Sequence, residues 1–227
     1  MKTVVISNLY PQFCEELKGR GYKICPTNRV EVFHKPEQLH ADMQVLKISD
    51  TVFTLKECDY SALSVSNLIS CEKPAEKDYP KNILLNCLYL NGKLFGKISA
   101  VDASVLTYCK RHGIEPINVN QGYTRCSTLK VNEKAIITAD KSIARAAEEH
   151  GIEVCLISPG CIVLEGFDYG FIGGCSMADE DKIYFFGNIK KHSDYHKIKA
   201  FCDKHNSKAE ILCNNFPPTD IGGAVVL

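Results

Sequence analysis

One segment of this chain is written twice. Asp102-Ala103-Ser104 through His112-Gly113-Ile114-Glu115 returns as Asp140-Lys141-Ser142 through His150-Gly151-Ile152-Glu153, an offset of 38 residues. The aspartate, serine, histidine, glycine, isoleucine and glutamate all coincide at that one offset. Repetition at such a period marks a supersecondary unit that buries its apolar face against copies of itself. Each copy reads in the same way. The aspartate caps the free N–H groups of a helix, whose apolar positions are Val105, Leu106 and Cys109 in one copy and Ile143, Ala146 and Ala147 in the other. Glycine then ends the helix in the left-handed conformation. A buried strand follows, over 115–119 and over 153–157.

A hairpin precedes each helix. Leu88-Tyr89-Leu90-Asn91-Gly92-Lys93-Leu94-Phe95 carries the Asn-Gly pair that favours a two-residue turn, and 129–136 aligns with it after a small difference in loop length. Two ββαβ units therefore stand side by side. A third hairpin is expected over 45–53, with little helical periodicity after it as far as Pro80. A fourth lies over 178–186, followed by a helix over 195–205 and a strand over 209–213. The ends complete a fifth unit. A strand over 221–227 lacks a hairpin partner, and so does the strand over 3–7, which continues into a helix with Pro11 in its first turn, Phe13 and Leu17 on its apolar face, and a strand over 22–25. Pairing the termini yields five modules and a closed ring without exposed sheet edges. An ordinary βαβ sandwich is the competing architecture.

Composition bounds the function. The 27 basic and 27 acidic residues cancel, so no global charge draws the chain to nucleic acid or an anionic membrane surface. The apolar stretch at the start is short for an export signal and no segment approaches a membrane span, which places the protein in the cytoplasm. Twelve cysteines without CxxC pairs then read as reduced thiols, each by default a small core hydrophobe. Cys109 and Cys202 fit that default. The six-residue offset of Cys155 and Cys161 is unlike structural zinc spacing, and no metal is assigned. His192 and His196, four apart beside Lys190, Lys191 and Asp194, are expected on a solvated helix. Phe185-Phe186 and Phe171-Ile172 are expected in the core.

Several short motifs resemble the pentein superfamily of guanidine-modifying enzymes. His40-Ala41-Asp42 is similar to the His-x-Asp motif of arginine deiminases and amidinotransferases. Asn86-Cys87-Leu88-Tyr89-Leu90-Asn91 resembles the corresponding strand of dimethylarginine dimethylaminohydrolase, and Gly122-Tyr123-Thr124-Arg125-Cys126-Ser127 sits where that family carries its nucleophilic cysteine. Glu165-Gly166-Phe167-Asp168 and Asp220-Ile221-Gly222-Gly223 resemble its acidic modules. The chain also resembles an uncharacterised bacterial branch of this fold. The resemblance spans nearly all of residues 1–227 as one domain and implies an α/β propeller of five ββαβ modules with pseudo-fivefold symmetry. The histidine and cysteine modules precede the acidic ones here, which implies circular permutation.

Attack on a guanidinium carbon requires a thiolate, a proton carrier and carboxylates to grip the planar cation. By resemblance Cys126 is the nucleophile, with Arg125 favouring its thiolate if that side chain turns inward. His40 is the general acid and base, and Asp42 orients it. Asp168 and Glu165 hold the guanidinium, Asp220 supplies a last carboxylate, and Asn86 lies at the substrate. Each residue has a structural alternative. Cys126 reads equally as a core thiol, His40 as a strand-entrance residue, and Asp168 and Glu165 as exposed turn residues. Cys87 and Cys175 are fallback nucleophiles. One departure favours a second reading: Ile221 falls at the family's catalytic acid and Ala224 at its aspartate. The implied function is hydrolysis or transfer on a small guanidino or amidino substrate through a covalent thiouronium, without a cofactor. The alternative is a noncatalytic scaffold, as in the ribosome anti-association factor of the same fold.

Overall fold

Local turn chemistry sets the hairpins, and short apolar strands then dictate their pairing. The computed structural model describes all of residues 1–227. Strand β1 (Thr3–Ile6), helix α1 (Pro11–Gly19) and strand β2 (Lys23–Pro26) come first. They are followed by the single-turn helix α2 (Ala41–Gln44) and strands β3 (Val45–Ile48), β4 (Thr51–Thr54) and β5 (Asn67–Ser70). The repeated units are β6 (Leu88–Leu90), β7 (Lys93–Gly96), α3 (Ala103–His112) and β8 (Glu115–Asn118), then β9 (Thr128–Asn132), β10 (Ala135–Thr138), α4 (Lys141–Glu149) and β11 (Glu153–Leu156). Strands β12 (Ser176–Asp179) and β13 (Lys182–Phe186), helix α5 (Tyr195–Lys204), β14 (Lys208–Leu212) and β15 (Ala224–Val226) complete the chain.

These strands form five separate three-stranded sheets. In four of them an antiparallel hairpin is extended by a parallel third strand, as in β6-β7-β8 and β9-β10-β11. The fifth has the same layout but is assembled from both ends of the chain, with β15 antiparallel to β1 and β1 parallel to β2. The two written copies fold alike. Asp102 accepts the N–H of Ser104 at 2.9 Å, and Asp140 accepts those of Ser142 and Ile143 at 2.8 and 2.9 Å. Asn91 and Gly92 take φ of 49° and 71°, the left-handed pair a tight hairpin turn needs.

The second unit differs from its neighbours. No regular helix joins β4 to β5, in keeping with the weak periodicity of that segment. One expectation needs correction: His192 is not on a solvated helix but is buried ahead of α5, with Nδ1 accepting the Asp194 N–H. Phe171 likewise lies only partly buried, stacked on Tyr123, whereas Ile172, Phe185 and Phe186 are core residues. All twelve cysteines are free thiols, and Cys109 and Cys202 sit fully within the core. No helix is long and apolar enough to cross a membrane. Residues from all five sheets, among them Val45, Leu88, Lys130, Ala178 and Val225, wall a common cavity of about 340 Å³.

Candidate active site

Two turns and two glycine pairs bring the chemistry together. His40 ends the loop before α2, its N–H donating to Glu37 O at 3.0 Å, and Asp42 lies within α2, its N–H donating to Gly222 O at 3.0 Å. Cys126 lies in the turn that launches β9, where Ser127 N–H donates to Tyr123 O at 2.9 Å. Close approach of these backbones leaves no room for side chains beneath them. A Cβ on Gly222 would stand 2.3 Å from His40 Cα, and one on Gly173 would stand 2.6 Å from Cys126 O. The next glycine, Gly174, donates its N–H to that same carbonyl at 2.9 Å.

One nitrogen of His40, one oxygen of Asp42 and the sulfur of Cys126 all lie within 4.8 Å of one another, and all three residues are buried. Asn86 clamps the arrangement. Its Oδ1 accepts the backbone N–H groups of Arg125 and Cys126 at 2.8 and 3.2 Å. Its Nδ2 donates to Asp42 O at 3.2 Å and sits 3.0 Å from Cys126 Sγ. A single buried amide thus ties the histidine turn to the cysteine turn. The trio also forms the one cluster of metal-ligand composition in the chain, with one nitrogen, one oxygen and one sulfur donor, fewer than a closed structural zinc site takes.

Electrostatics set the resting state. Burial pushes the Asp42 carboxyl up to about 6, with the His40 charge opposing and Asp220 reinforcing the rise. No N–H group donates to either Asp42 oxygen, and the Cys126 thiol, as a donor, opposes part of the rise. Burial also drives the Cys126 thiol well above its ordinary value, and the Asp42 and Asp220 carboxylates add to that, so the sulfur rests protonated. Asn86 pulls in the opposite direction. The Arg125 guanidinium instead donates to Thr128 O at 3.2 Å and stands in the wall of the five-sheet cavity beside Lys47 and Lys130.

The acidic residues divide. Asp220 is buried, its two carboxylate oxygens accepting the N–H groups of Phe171 and Gly222 at 2.8 and 2.9 Å. It shares with His40 and the exposed Glu165 the wall of a cavity of about 270 Å³, to which Arg29, Lys35 and Tyr10 also contribute. Asp168 is exposed in the same segment as Glu165 and takes no part in that wall. Cys87 and Cys175 are embedded in core clusters, their thiols raised by burial, and Cys175 Sγ donates to Phe186 O. Ile221 is buried, and its N–H donates to Gly174 O at 3.1 Å.

Two further residues that the motifs did not mark, Glu37 and Asn82, cluster close by around Tyr123 of the cysteine motif. Glu37 is buried with Oε2 unpartnered, and its charge helps raise the Tyr123 phenol behind the larger effect of burial. The Tyr123 hydroxyl accepts from Asn82 Nδ2 at 2.7 Å. The spacing of Glu37, three residues before His40, was the only available signal.

Sequence comparison adds the family. The profile of DUF6873, a family of unknown function, matches residues 4–225. The chain belongs to DUF6873. No relative is found among curated proteins. Solved structures resemble it in fold. Dimethylarginine dimethylaminohydrolase from Pseudomonas aeruginosa, as a cysteine-to-serine variant complexed with citrulline, gives a TM-score of 0.61 at 9% identity, covering 100% of this chain and 99% of that one. Agmatine deiminase from C. jejuni gives 0.54 at 8% identity, covering 93% and 86%. An amidinotransferase of the saxitoxin biosynthetic pathway from Microseira wollei gives 0.51 at 10% identity, covering 93% and 88%. At such identities the likeness is one of fold, and this DUF6873 chain has the pentein fold of those enzymes.

Proposed function

We propose that this DUF6873 protein is a thiol-dependent enzyme that hydrolyses, or transfers a group from, a small guanidino or amidino compound. The observation that carries the reading is the buried trio of His40, Asp42 and Cys126 within 4.8 Å, with no N–H group donating to either Asp42 oxygen. A carboxylate without N–H partners beside a thiol suits a planar cation rich in N–H groups. The fold neighbours support the same class, being a dimethylarginine dimethylaminohydrolase, an amidinotransferase and an agmatine deiminase. In this reading the five sheets close into one ring-shaped domain through the β1–β15 pairing, and the order of modules is a circular permutation of the enzymes' order.

Substrate charge resolves the resting state. A guanidinium seated against Asp42 neutralises the field that keeps Cys126 protonated, and the thiol proton passes to His40. The sulfur then bonds to the central carbon. The C–N bond to the departing ammonia or amine breaks as His40 returns the proton to that nitrogen. Water, deprotonated by His40, attacks the S-alkylthiouronium carbon and the C–S bond breaks, restoring the thiol. Asp220 and Glu165, in the wall of the 270 Å³ cavity, supply further negative charge, while Arg29 and Lys35 suit a carboxylate elsewhere on the substrate. Asp168 joins them only if its exposed segment folds inward over substrate.

The test is a panel of guanidines and amidines assayed for ammonia, urea and amine release, together with labelling by a haloacetamidine. Turnover that is lost in Cys126→Ala and in His40→Ala, with the label found on Cys126, is the expected result. Silence across the panel with an unlabelled Cys126 sinks the proposal. That outcome would favour a noncatalytic scaffold, the reading consistent with an apolar Ile221 at the acid position.

A further inference from the structure

The sheet registers give one residue of each unit the same place in its ladder. Lys47 of β3, Tyr89 of β6, Lys130 of β9, Ala178 of β12 and Val226 of β15 each oppose the second residue of the antiparallel partner strand. Strand alternation sends equivalent ladder positions to the same face of each sheet. All five residues accordingly stand in the wall of the five-sheet cavity of about 340 Å³. Their chemistry is unequal: two are lysines, and each ammonium donates to the carbonyl of another of the five, Lys47 to Val226 O at 3.1 Å and Lys130 to Tyr89 O at 3.3 Å.

Cations outnumber acids in this wall. Arg125 joins the two lysines, against Glu133 alone. Glu133 is already committed, ion-paired with Lys130 and accepting the Asn91 N–H at 2.7 Å. Arg125 Nη1 donates to Thr128 O at 3.2 Å, so Arg125 and Lys47 both bond to backbone carbonyls and neither pairs with a carboxylate. Asp179 lies near Lys47, but its two oxygens are taken by Lys2 Nζ and the Tyr22 hydroxyl, each at 2.6 Å. Burial lowers the Lys47 pKa, the Asp179 charge opposing and Lys2 reinforcing, so the ammonium has lost water without gaining a full counter-charge. Lys47 stays exposed along part of its side chain and Arg125 is half-buried, so neither is sealed from a molecule entering the cavity.

A guanidinium fork and an ammonium, each with N–H groups to spare, match the paired oxygens of a phosphate or carboxylate. Leu88 and Val225 add an apolar side to the same wall. The volume is larger than the roughly 150 Å³ that takes up benzene, so an organic body fits beside the charged end. We propose that the five-sheet cavity binds a small organic dianion, a phosphate monoester or a dicarboxylate, with its oxygens against Lys47 and Arg125 and its carbon part against Leu88 and Val225. The site borders the thiol trio through Arg125, whose backbone N–H shares Asn86 Oδ1 with that of Cys126 and whose charge lowers the Asp42 pKa against the effect of burial. His40, Asp42 and Cys126 themselves lie outside its wall, so binding does not draw on their side chains.

The test titrates the purified protein, at slightly alkaline pH and low salt, with phenyl phosphate and succinate, and with benzyl alcohol and succinamide as their uncharged counterparts. Calorimetry reads affinity, and NMR of the backbone amides reads location. Saturable binding of at least one dianion, with shifts at Lys47, Tyr89 and Lys130 and no response to the uncharged pair, is expected; whichever dianion binds identifies the source as a phosphate ester or a dicarboxylate. Lys47→Met and Arg125→Met each weaken binding about tenfold or more, as loss of one hydrogen bond from a charged group implies. Lys35→Met, in the wall of the other cavity, and Cys126→Ala leave it unchanged. Because Arg125→Met alters the turn that carries Cys126 and can disturb folding, Lys47→Met, which keeps the stem and removes only the charge, makes the test decisive. No saturable binding of either dianion, equal binding of the uncharged pair, an affinity untouched by Lys47→Met, loss of binding in Cys126→Ala, or shifts confined to the surroundings of Arg29 and Lys35 overturns the proposal.

Discussion

Asp42 is a carboxyl group held where the neutral acid is the more comfortable form. Its folded value of about 6 lies above the ordinary 3.8, burial being the main cause. Between those values the folded protein keeps a proton that the unfolded chain has released. Stability from this group is therefore fully present below the unfolded value, falls as pH rises through the window, and stays lower above it. Two units of separation correspond to about 3 kcal/mol. Denaturant unfolding of wild type and Asp42→Asn across that range checks the point: the difference between the two stabilities is expected to shift through the window and to level off above it. A difference that ignores pH would show that the carboxyl is ionised throughout. The same scale explains what the sequence could and could not reveal about the site. His40, Asp42 and Cys126 carry short local motifs, and they meet in space. Asp168 shares a motif too, but its segment between β11 and β12 has no periodic pattern to say which way it faces, and it faces solvent. Glu37 reads as an ordinary polar loop residue, because only tertiary packing buries it.

Elements were legible where their signals are local. Capping aspartates, the Asn-Gly turn and short apolar runs placed α3, α4 and the hairpins within two residues of their observed ends. The segment from β4 to β5 carried no helical pattern, and it folds without a regular helix. The glycine pairs were less transparent, since a Gly-Gly dipeptide reads as flexibility until its neighbours are known. In the folded chain Gly222 has φ of 78° and lies flat against His40, so it answers both to backbone conformation and to space. Gly160 has φ of 98° but nothing within 4 Å of its missing Cβ, which makes it the control. Gly160→Ala is expected to cost about 1–2 kcal/mol, the conformational penalty alone. Gly222→Ala adds displacement of the His40 backbone and should cost about 3 kcal/mol or more, with loss of Cys126 labelling by the haloacetamidine. Equal costs at the two positions would mean that His40 yields freely and that the site is less tightly built than its contacts imply.

At the scale of the molecule, the pairing of the termini carries most of the architecture. Val4 opposes Val226, and Leu227 N–H donates to Thr3 O at 2.8 Å, so the two ends of the chain lie side by side within one sheet. Neither terminal segment has a hairpin partner of its own in sequence, which is why the fifth unit had to be inferred by joining them. A chain whose ends share a sheet should tolerate having them joined. Linking Leu227 to Met1 through about three glycine and serine residues matches common hairpin loop lengths, and new ends can be opened between the exposed Ser61 and Ala62, in the segment between β4 and β5. That permutant is expected to unfold within about 1 kcal/mol of the parent, because one loop closure replaces another. Deleting 224–227 should be far more damaging, since it strips β15 from β1 and removes Ala224, Val225 and Val226 from the wall of the five-sheet cavity. A permutant that fails to fold, while the parent bearing the same linker as a free tail remains stable, would show that the pairing of the ends is peripheral and that the five sheets are held together elsewhere.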